Sequence, residues 1–216
     1  MKQTYFTPDT IRNKAQEMLT QVEGYKRRHM PPFSPWDSAL LVLDMQDYFL
    51  EPGSHAFVPS GPAIIPNLNA LIDAFSGFNL PVIFTQHLNT PEDAGVLKTW
   101  WHDTITIENP LSAISDKFDL SKGTIVQKTQ YDAFYHTDLE GLLRNKSVRQ
   151  IVVCGVMTHL CCETTARSAF VRGFEVFFTI DGTATYNQEF HLGTLVNLSH
   201  GFATPILASE ILEALK

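Results

Sequence analysis

Apolar residues near the start of the chain fall at helical spacing, at Ile11, Ala15, Met18, Leu19 and Val22, and the pattern stops at Pro31-Pro32 and Pro35. Proline lacks a backbone N–H and drives the residue before it out of the helical region, so residues 1–37 read as an amino-terminal helix and an extended arm. From Ser38 on, short runs rich in β-branched and aromatic residues recur at Ala39 to Leu43, Pro81 to Thr85, Thr124 to Gln127, Ile151 to Gly155, Glu175 to Ile180 and Ala203 to Leu207. The runs are almost wholly apolar rather than alternating, which predicts strands buried on both faces. Helical patterns separate them, clearest at Ile64 to Phe78, Leu139 to Lys146, Cys162 to Arg172 and Gln188 to Leu198. Strand then helix, repeated about six times, predicts an α/β fold of three layers: a mostly parallel sheet of about six strands with helices on both faces. No repeat or linker divides residues 38–216, which read as one domain. The connection from His87 to Gly123, with Pro91, Pro110 and Trp100-Trp101, is longer than one helix needs; it reads as a lid or as an extra surface element.

Composition narrows the partners. The 216 residues carry 16 Lys+Arg against 23 Asp+Glu, a formal charge of -7, with no basic run, so a polyanion such as nucleic acid or an anionic membrane surface finds no footprint. No apolar stretch approaches the roughly 20 residues of a membrane span, and the first residues lack the apolar core of a secretory signal. The three cysteines, Cys154, Cys161 and Cys162, are odd in number and crowded together, which argues against a disulfide framework and for a reducing cytoplasm.

In a doubly wound sheet the ligand cleft opens beyond the carboxyl ends of the strands, so the residues that follow each strand are the candidates. The first run is followed by Asp44, the third by Lys128, and the fourth by GVMTHLCCETTAR with Cys161 close to the next helix. A thiol at a helix amino terminus beside an ammonium is expected to ionise more easily than a free cysteine. Cys161 would then be the nucleophile, Asp44 the general acid/base, and Lys128 the charge that holds both; backbone N–H groups in the turn up to Cys161 would receive an oxyanion. This scheme needs no metal and no organic cofactor. Gln46, Trp100, Trp101, Tyr131, Phe134 and His159 are candidate substrate contacts. Each also has a structural reading, as loop-ordering, turn or packing residues. Cys154 reads as core, Cys162 as packed in a helix, and Asp181 as a turn or capping residue.

LLVLDMQDYF, KTQYDAF and CGVMTHLCCETTAR, in that order and spacing, resemble the motifs of the isochorismatase-like cysteine hydrolases. The resemblance implies a Rossmann-like sandwich and places the family's catalytic Asp, Lys and Cys on Asp44, Lys128 and Cys161. It also implies a cis Val156–Met157 bond that turns the Met157 N–H toward the oxyanion. True isochorismatases usually carry Gly where this chain has Cys161, so the thiol favours C–N cleavage of a small amide, ureido or carbamoyl compound through a thioester. The metal-holding Asp and His residues of nicotinamidases are not matched in FTQHLNTPEDAG, where His87 stands alone and His102 lies well downstream, so no metal is expected and nicotinamide becomes a weaker candidate. CCETTAR is similar to the ureidoacrylate-type amidohydrolases. The alternatives are a vinyl-ether hydrolase using Asp44 with the thiol as bystander, and a non-catalytic binding or scaffold module. A homo-oligomer, dimer or tetramer, is expected from the arm and the aromatic insertion.

Overall fold

The computed structural model describes residues 1–26, 32–101 and 103–216. Part of the predicted arm, residues 27–31, and His102 lie outside them. The predicted amino-terminal helix is α1, Ile11–Val22, with Ile11, Ala15, Met18 and Val22 buried on one face. The strands are β1 Ser38–Leu43, β2 Val82–His87, β3 Thr124–Lys128, β4 Gln150–Val156, β5 Glu175–Ala184 and β6 Thr204–Ile206. The helices that follow α1 are α2 Asp47–Leu50, α3 Gly61–Gly77, α4 Leu97–Trp100, α5 Leu139–Asn145, α6 Glu163–Val171, α7 Gln188–Gly201 and α8 Ala208–Ala214. A π-helical turn, Thr158–Cys162, leads into α6.

All six strands are parallel in the order β3-β2-β1-β4-β5-β6. The chain therefore winds outward from β1 in one direction and, after crossing to β4, outward in the other. With right-handed crossovers this sends α3 to one face and α6 and α7 to the opposite one. α3 packs on β1, β4 and β5 and against α8; α1 and α6 pack on β5 and against α7. The β1 and β4 strands are buried along their whole length, as their apolar runs predict. The β3 strand is not: Thr124, Ile125 and Gln127 are exposed, because β3 lies at the sheet edge with a neighbour on one side only.

Two local departures shape the site end. The β5 strand runs on past the predicted end at Ile180, and its register with β4 shifts between Val153 and Gly155, so several residues of β5 loop out there. Asp181 sits in this irregularity and its Oδ1 accepts from Ala208 N–H, 2.8 Å, at the start of α8, a capping role as expected. Gly155 has φ +109, and a Cβ there would lie 2.1 Å from Leu43 O, so only glycine lets β4 pass this close to β1. The arm residues next to β1 are tied to the sheet: Gln150 accepts from Ser34 N–H through Oε1, 2.6 Å, and donates through Nε2 to Pro32 O, 2.9 Å. No described helix is long and apolar enough to cross a membrane.

Candidate active site

The sheet order reverses between β1 and β4, and a ligand crevice forms where strands diverge at such a switch. Asp44 follows β1, and the π-turn with Cys161 follows β4; Lys128 ends β3, paired in register with His87 at the end of β2. Three sequence-distant side chains are thereby brought together. Lys128 Nζ lies 2.7 Å from Asp44 Oδ2 and 3.4 Å from Cys161 Sγ, with both partners of the ion pair fully buried. The same ammonium donates to Gln130 O, 2.8 Å, and faces His87 Nδ1 at 3.4 Å.

Asp44 has φ 51, a left-handed conformation that costs a non-glycine residue roughly 1–3 kcal/mol. Thr85 holds it there: the Thr85 hydroxyl accepts from Asp44 N–H, 3.1 Å, and donates to Asp44 Oδ1, 2.5 Å. Burial alone would raise the Asp44 pKa, but the Lys128 ammonium, with His87 and hydrogen bonds, outweighs it and holds the carboxyl below its ordinary range. Burial likewise opposes the Lys128 charge, and the Asp44 carboxylate more than compensates, so Lys128 titrates above an ordinary lysine.

Cys161 departs from expectation. Burial, followed by the negative charge of Asp44, pushes its thiol well above the ordinary cysteine value, and Lys128 offsets this only in part. The helix terminus does not outweigh desolvation here. At rest the site holds a carboxylate, an ammonium and a neutral thiol.

His87, dismissed in the sequence as a solitary histidine, belongs to the cluster. Asn89 Nδ2 donates to Asp93 Oδ1 and Thr129 O, 3.0 and 2.9 Å, so its Oδ1 is the atom 2.9 Å from His87 Nε2. Nε2 therefore carries the hydrogen, and the Nδ1 lone pair points to Lys128. Burial, then the Lys128 charge, lowers the His87 pKa to about 4, which leaves it neutral near pH 7. Asp44, His87 and Cys161 offer ligand atoms within 4.8 Å of one another, a set that could hold a metal. Lys128 Nζ already touches all three, so the chain supplies its own cation at that point.

Above this cluster opens a cavity of about 300 Å³. Its deep end is made by Cys161, Met157, His87 and Asn89, all buried; Phe49, Leu97, Ile105, Tyr131, Leu160 and Tyr186 form its walls, and Lys2, His55 and Asp103 are among the residues at its outer end. Of the expected substrate contacts, Tyr131 and Trp101 line it, joined by a hydrogen bond from Trp101 Nε1 to Tyr131 OH. The others are elsewhere. Gln46 is a buried brace, donating through Nε2 to His87 O and Ser112 O, 3.0 and 2.7 Å, and accepting from His87 N–H, 2.8 Å. Trp100, at the end of α4, is 72% exposed and outside the cavity. Phe134 stacks on Phe174 beneath the Arg172 guanidinium, and His159 is bonded to Thr185 Oγ1, 2.6 Å, and stacked on Phe190. Gln46, Phe134 and His159 each satisfy a packing or bonding demand of their own surroundings, which neighbourhood in sequence does not reveal. The Val156–Met157 peptide bond is cis, as the resemblance implies. Cys154 is core, with Sγ 3.3 Å from Leu41 O, and Cys162 is fully buried in the π-turn. His55, Asn89, Asp103, Tyr186 and Lys2 also line the cavity from loops that no strand pattern marks, and Tyr48 does so from the short α2.

Comparison with known proteins shows the family and the fold. Residues 38–210 match the sequence model of the Isochorismatase domain. The chain is 38% identical to "Nicotinamidase 3" of Arabidopsis thaliana over 83% of this chain and 88% of that one. It is 30% identical to "Enterobactin synthase component B" of Escherichia coli (strain K12) over 84% of this chain but only 65% of that longer protein. Among solved structures, a cysteine hydrolase from Pseudomonas syringae pv. phaseolicola 1448A superposes with a TM-score of 0.81 at 25% identity, covering 86% of this chain and 95% of that one.

Proposed function

The chain belongs to the isochorismatase family of hydrolases, and from that premise we propose that it is a metal-independent cysteine amidohydrolase cleaving the C–N bond of a small amide, ureido or carbamoyl compound. The observation that carries this reading is the fully buried Asp44–Lys128 pair against the Cys161 thiol at the deep end of the cavity. A vinyl ether needs a proton donor and no nucleophile, whereas an amide carbonyl needs both, and this cluster supplies both.

Because the thiol is neutral at rest, its proton passes to Asp44 as Sγ attacks the carbonyl carbon. The Met157 and Cys161 N–H groups take the developing oxyanion at the start of the π-turn, whose Leu160 and Cys162 N–H groups are held by Met157 O, 3.0 and 3.3 Å. Asp44 returns the proton to the leaving nitrogen, which departs as ammonia or an amine and leaves a thioester on Cys161. Water, deprotonated by Asp44, then releases the acid and the thiol. Lys128 keeps Asp44 anionic at rest, ready to take the proton, and steadies the sulfur as charge builds on it.

The test is a panel of nicotinamide, N-carbamoyl amino acids, ureidoacrylate and isochorismate, scored for ammonia release and vinyl-ether loss. Cys161→Ala is expected to lose at least about a thousandfold in amide turnover, and the wild type to show a thioester mass adduct on Cys161 after rapid quench. Isochorismate turnover that survives Cys161→Ala but not Asp44→Asn would overturn the reading, and turnover of nothing in the panel would favour the binding module. A dimer or tetramer is part of the proposal, supported by exposed aromatic pairs such as Trp36 on Phe78; a monomer mass by light scattering would remove it.

A further inference from the structure

Residues 38–210 carry the family match, yet one charged group of the cavity comes from outside them. Lys2 reaches the outer end of the cavity that Cys161 closes, on a segment fastened at several points. Tyr5 N–H and Phe6 N–H both donate to the buried Ser60 Oγ, 3.0 Å each. Gln3 N–H donates to Tyr186 O, 2.6 Å, and the Tyr5 hydroxyl accepts from Thr185 N–H, 2.9 Å, and meets His191 Nδ1 at 2.7 Å. Tyr5 and Phe6 are themselves buried, so the first six residues are a docked part of the site wall.

The charges at the outer end are not equivalent. Asp103 is internally satisfied: its Oδ2 accepts from Tyr48 OH, 2.7 Å, and faces His55 Nδ1 at 3.5 Å, and its Oδ1 accepts from Thr104 N–H, 2.8 Å. Lys2 is different. Its ammonium donates to His55 O and lies over the Tyr186 ring, 4.6 Å from the centroid, and among the described residues no carboxylate pairs with it. An ammonium has three donors, so two remain for a guest. Partial burial holds its pKa below an ordinary lysine, the direction expected of a cation lacking a counter-charge. Apart from Thr104, the wall between these outer groups and the deep end is apolar and aromatic.

We propose that Lys2 is a specificity-determining residue that receives an anionic group, a carboxylate in the simplest case, at the end of the substrate opposite the scissile C–N bond. The inference rests on the amidohydrolase reading and narrows its substrate class to amides or ureides that also carry an acid. On a chain of net charge -7 an anionic substrate needs such a local cation. It divides the labour of the fold: the family domain supplies the reaction and the segment before it supplies the selection.

The experiment compares N-carbamoylglycine, N-carbamoyl-β-alanine and N-carbamoyl-γ-aminobutyrate with their methyl esters. Affinity is measured by calorimetry on Cys161→Ala protein, where nothing is turned over, with Lys, Ala, Arg or Glu at position 2. Acid is expected to bind better than ester at one chain length, and Lys2→Ala to cut that acid-to-ester ratio about tenfold, the scale of a charge-assisted hydrogen bond. Lys2→Arg should keep the ratio within about threefold, and Lys2→Glu should invert it. A ratio unchanged by Lys2→Ala, or no measurable binding of any acid to protein that retains Lys2, overturns the proposal. If the ratio follows residue 2 while the Cys161-intact protein hydrolyses none of these compounds, the anion subsite stands and the amidohydrolase reading falls.

Discussion

At the scale of single residues the site is a problem of where one proton rests. Burial, and after it the Asp44 charge, raises the Cys161 thiol, and Lys128 lowers it only in part, so the sulfur stays protonated. Removing the carboxylate should therefore separate two properties that usually move together. In Asp44→Asn the repulsion is gone and Lys128 is free to pair with a thiolate, so alkylation of Cys161 by iodoacetamide at pH 8 should become faster than in wild type while amide turnover disappears. Peptide mass mapping of the alkylated cysteine against pH checks this, and unchanged or slower alkylation would show that Asp44 does not set the thiol's proton. The buried ion pair makes a second residue-scale prediction. Lys128→Met leaves Asp44 buried without its partner and should cost about 3–5 kcal/mol in urea unfolding. Asp44 is depressed from 3.8, so its contribution is present above that value and lost as pH falls below it; Lys128 is raised from 10.5, so its contribution is present below that value and lost as pH rises past it. Without Lys128, burial alone acts on Asp44 and raises its pKa above 3.8, so the loss caused by Lys128→Met should be smallest near pH 4 and grow as pH rises from there.

At the scale of elements, the strand ends bring the chemistry together, and the closest passage is at Gly155. With φ +109 and the Leu43 carbonyl 2.1 Å from where a Cβ would sit, Gly155→Ala forces β4 away from β1 and separates Asp44 from the Cys161 turn. Loss of soluble protein, or of turnover in whatever folds, is the expected result. Ser60→Ala acts on the first segment instead. It strips one acceptor from two buried N–H groups, each costing roughly 1–3 kcal/mol when unsatisfied. Melting should fall by several degrees, with faster amide exchange at Tyr5 and Phe6 and unaltered exchange in β1 and β4. These elements also mark what sequence can express. Uniformly apolar runs announce β1 and β4, and strand ends announce Asp44, Lys128 and Cys161, because both follow from periodicity and topology. Periodicity carries no signal for Lys2, whose segment is fixed by hydrogen bonds to Ser60 and Tyr186, for Tyr48 on the four-residue α2, or for Asp103, which Tyr48 holds through its hydroxyl. Gln46 and Phe134 are the opposite case: they stand beside catalytic candidates in sequence, and their own elements turn them into the packing.

At the scale of the whole molecule, buried histidines set the acid limit of the fold. His191 is fully buried, with Nδ1 against the Tyr5 hydroxyl and Nε2 without a partner among the described residues, so a charged ring would sit there without a carboxylate to balance it. Burial lowers its pKa from 6.5 to about 3, and His87 falls from 6.5 to about 4. Both folded values lie below the unfolded one, so both contributions are complete above about pH 6.5 and are lost as pH falls toward the folded values. Between roughly pH 6 and 4 the unfolded chain binds up to two more protons than the native one, a slope approaching about 2.7 kcal/mol per pH unit. Asp181 works against them, since burial raises its pKa and the native state then holds the extra proton. The net uptake at these three groups should lie between one and two protons, about 3–5 kcal/mol over two pH units, a large share of the stability of a typical domain. Acidification should therefore weaken the fold well above the range where Asp44 begins to protonate. His191→Gln, which keeps a side-chain acceptor within reach of Tyr5, should lower the slope of unfolding free energy against pH by about one proton and move the acid midpoint down. Urea titrations at pH 4.5, 5.5 and 6.5 decide it, and an unchanged slope in His191→Gln would mean that the proton enters elsewhere. Because Tyr5 joins His191 to the segment that carries Lys2, the same protonation should release the site wall first, visible as exchange at Tyr5 and Phe6 before β1 opens.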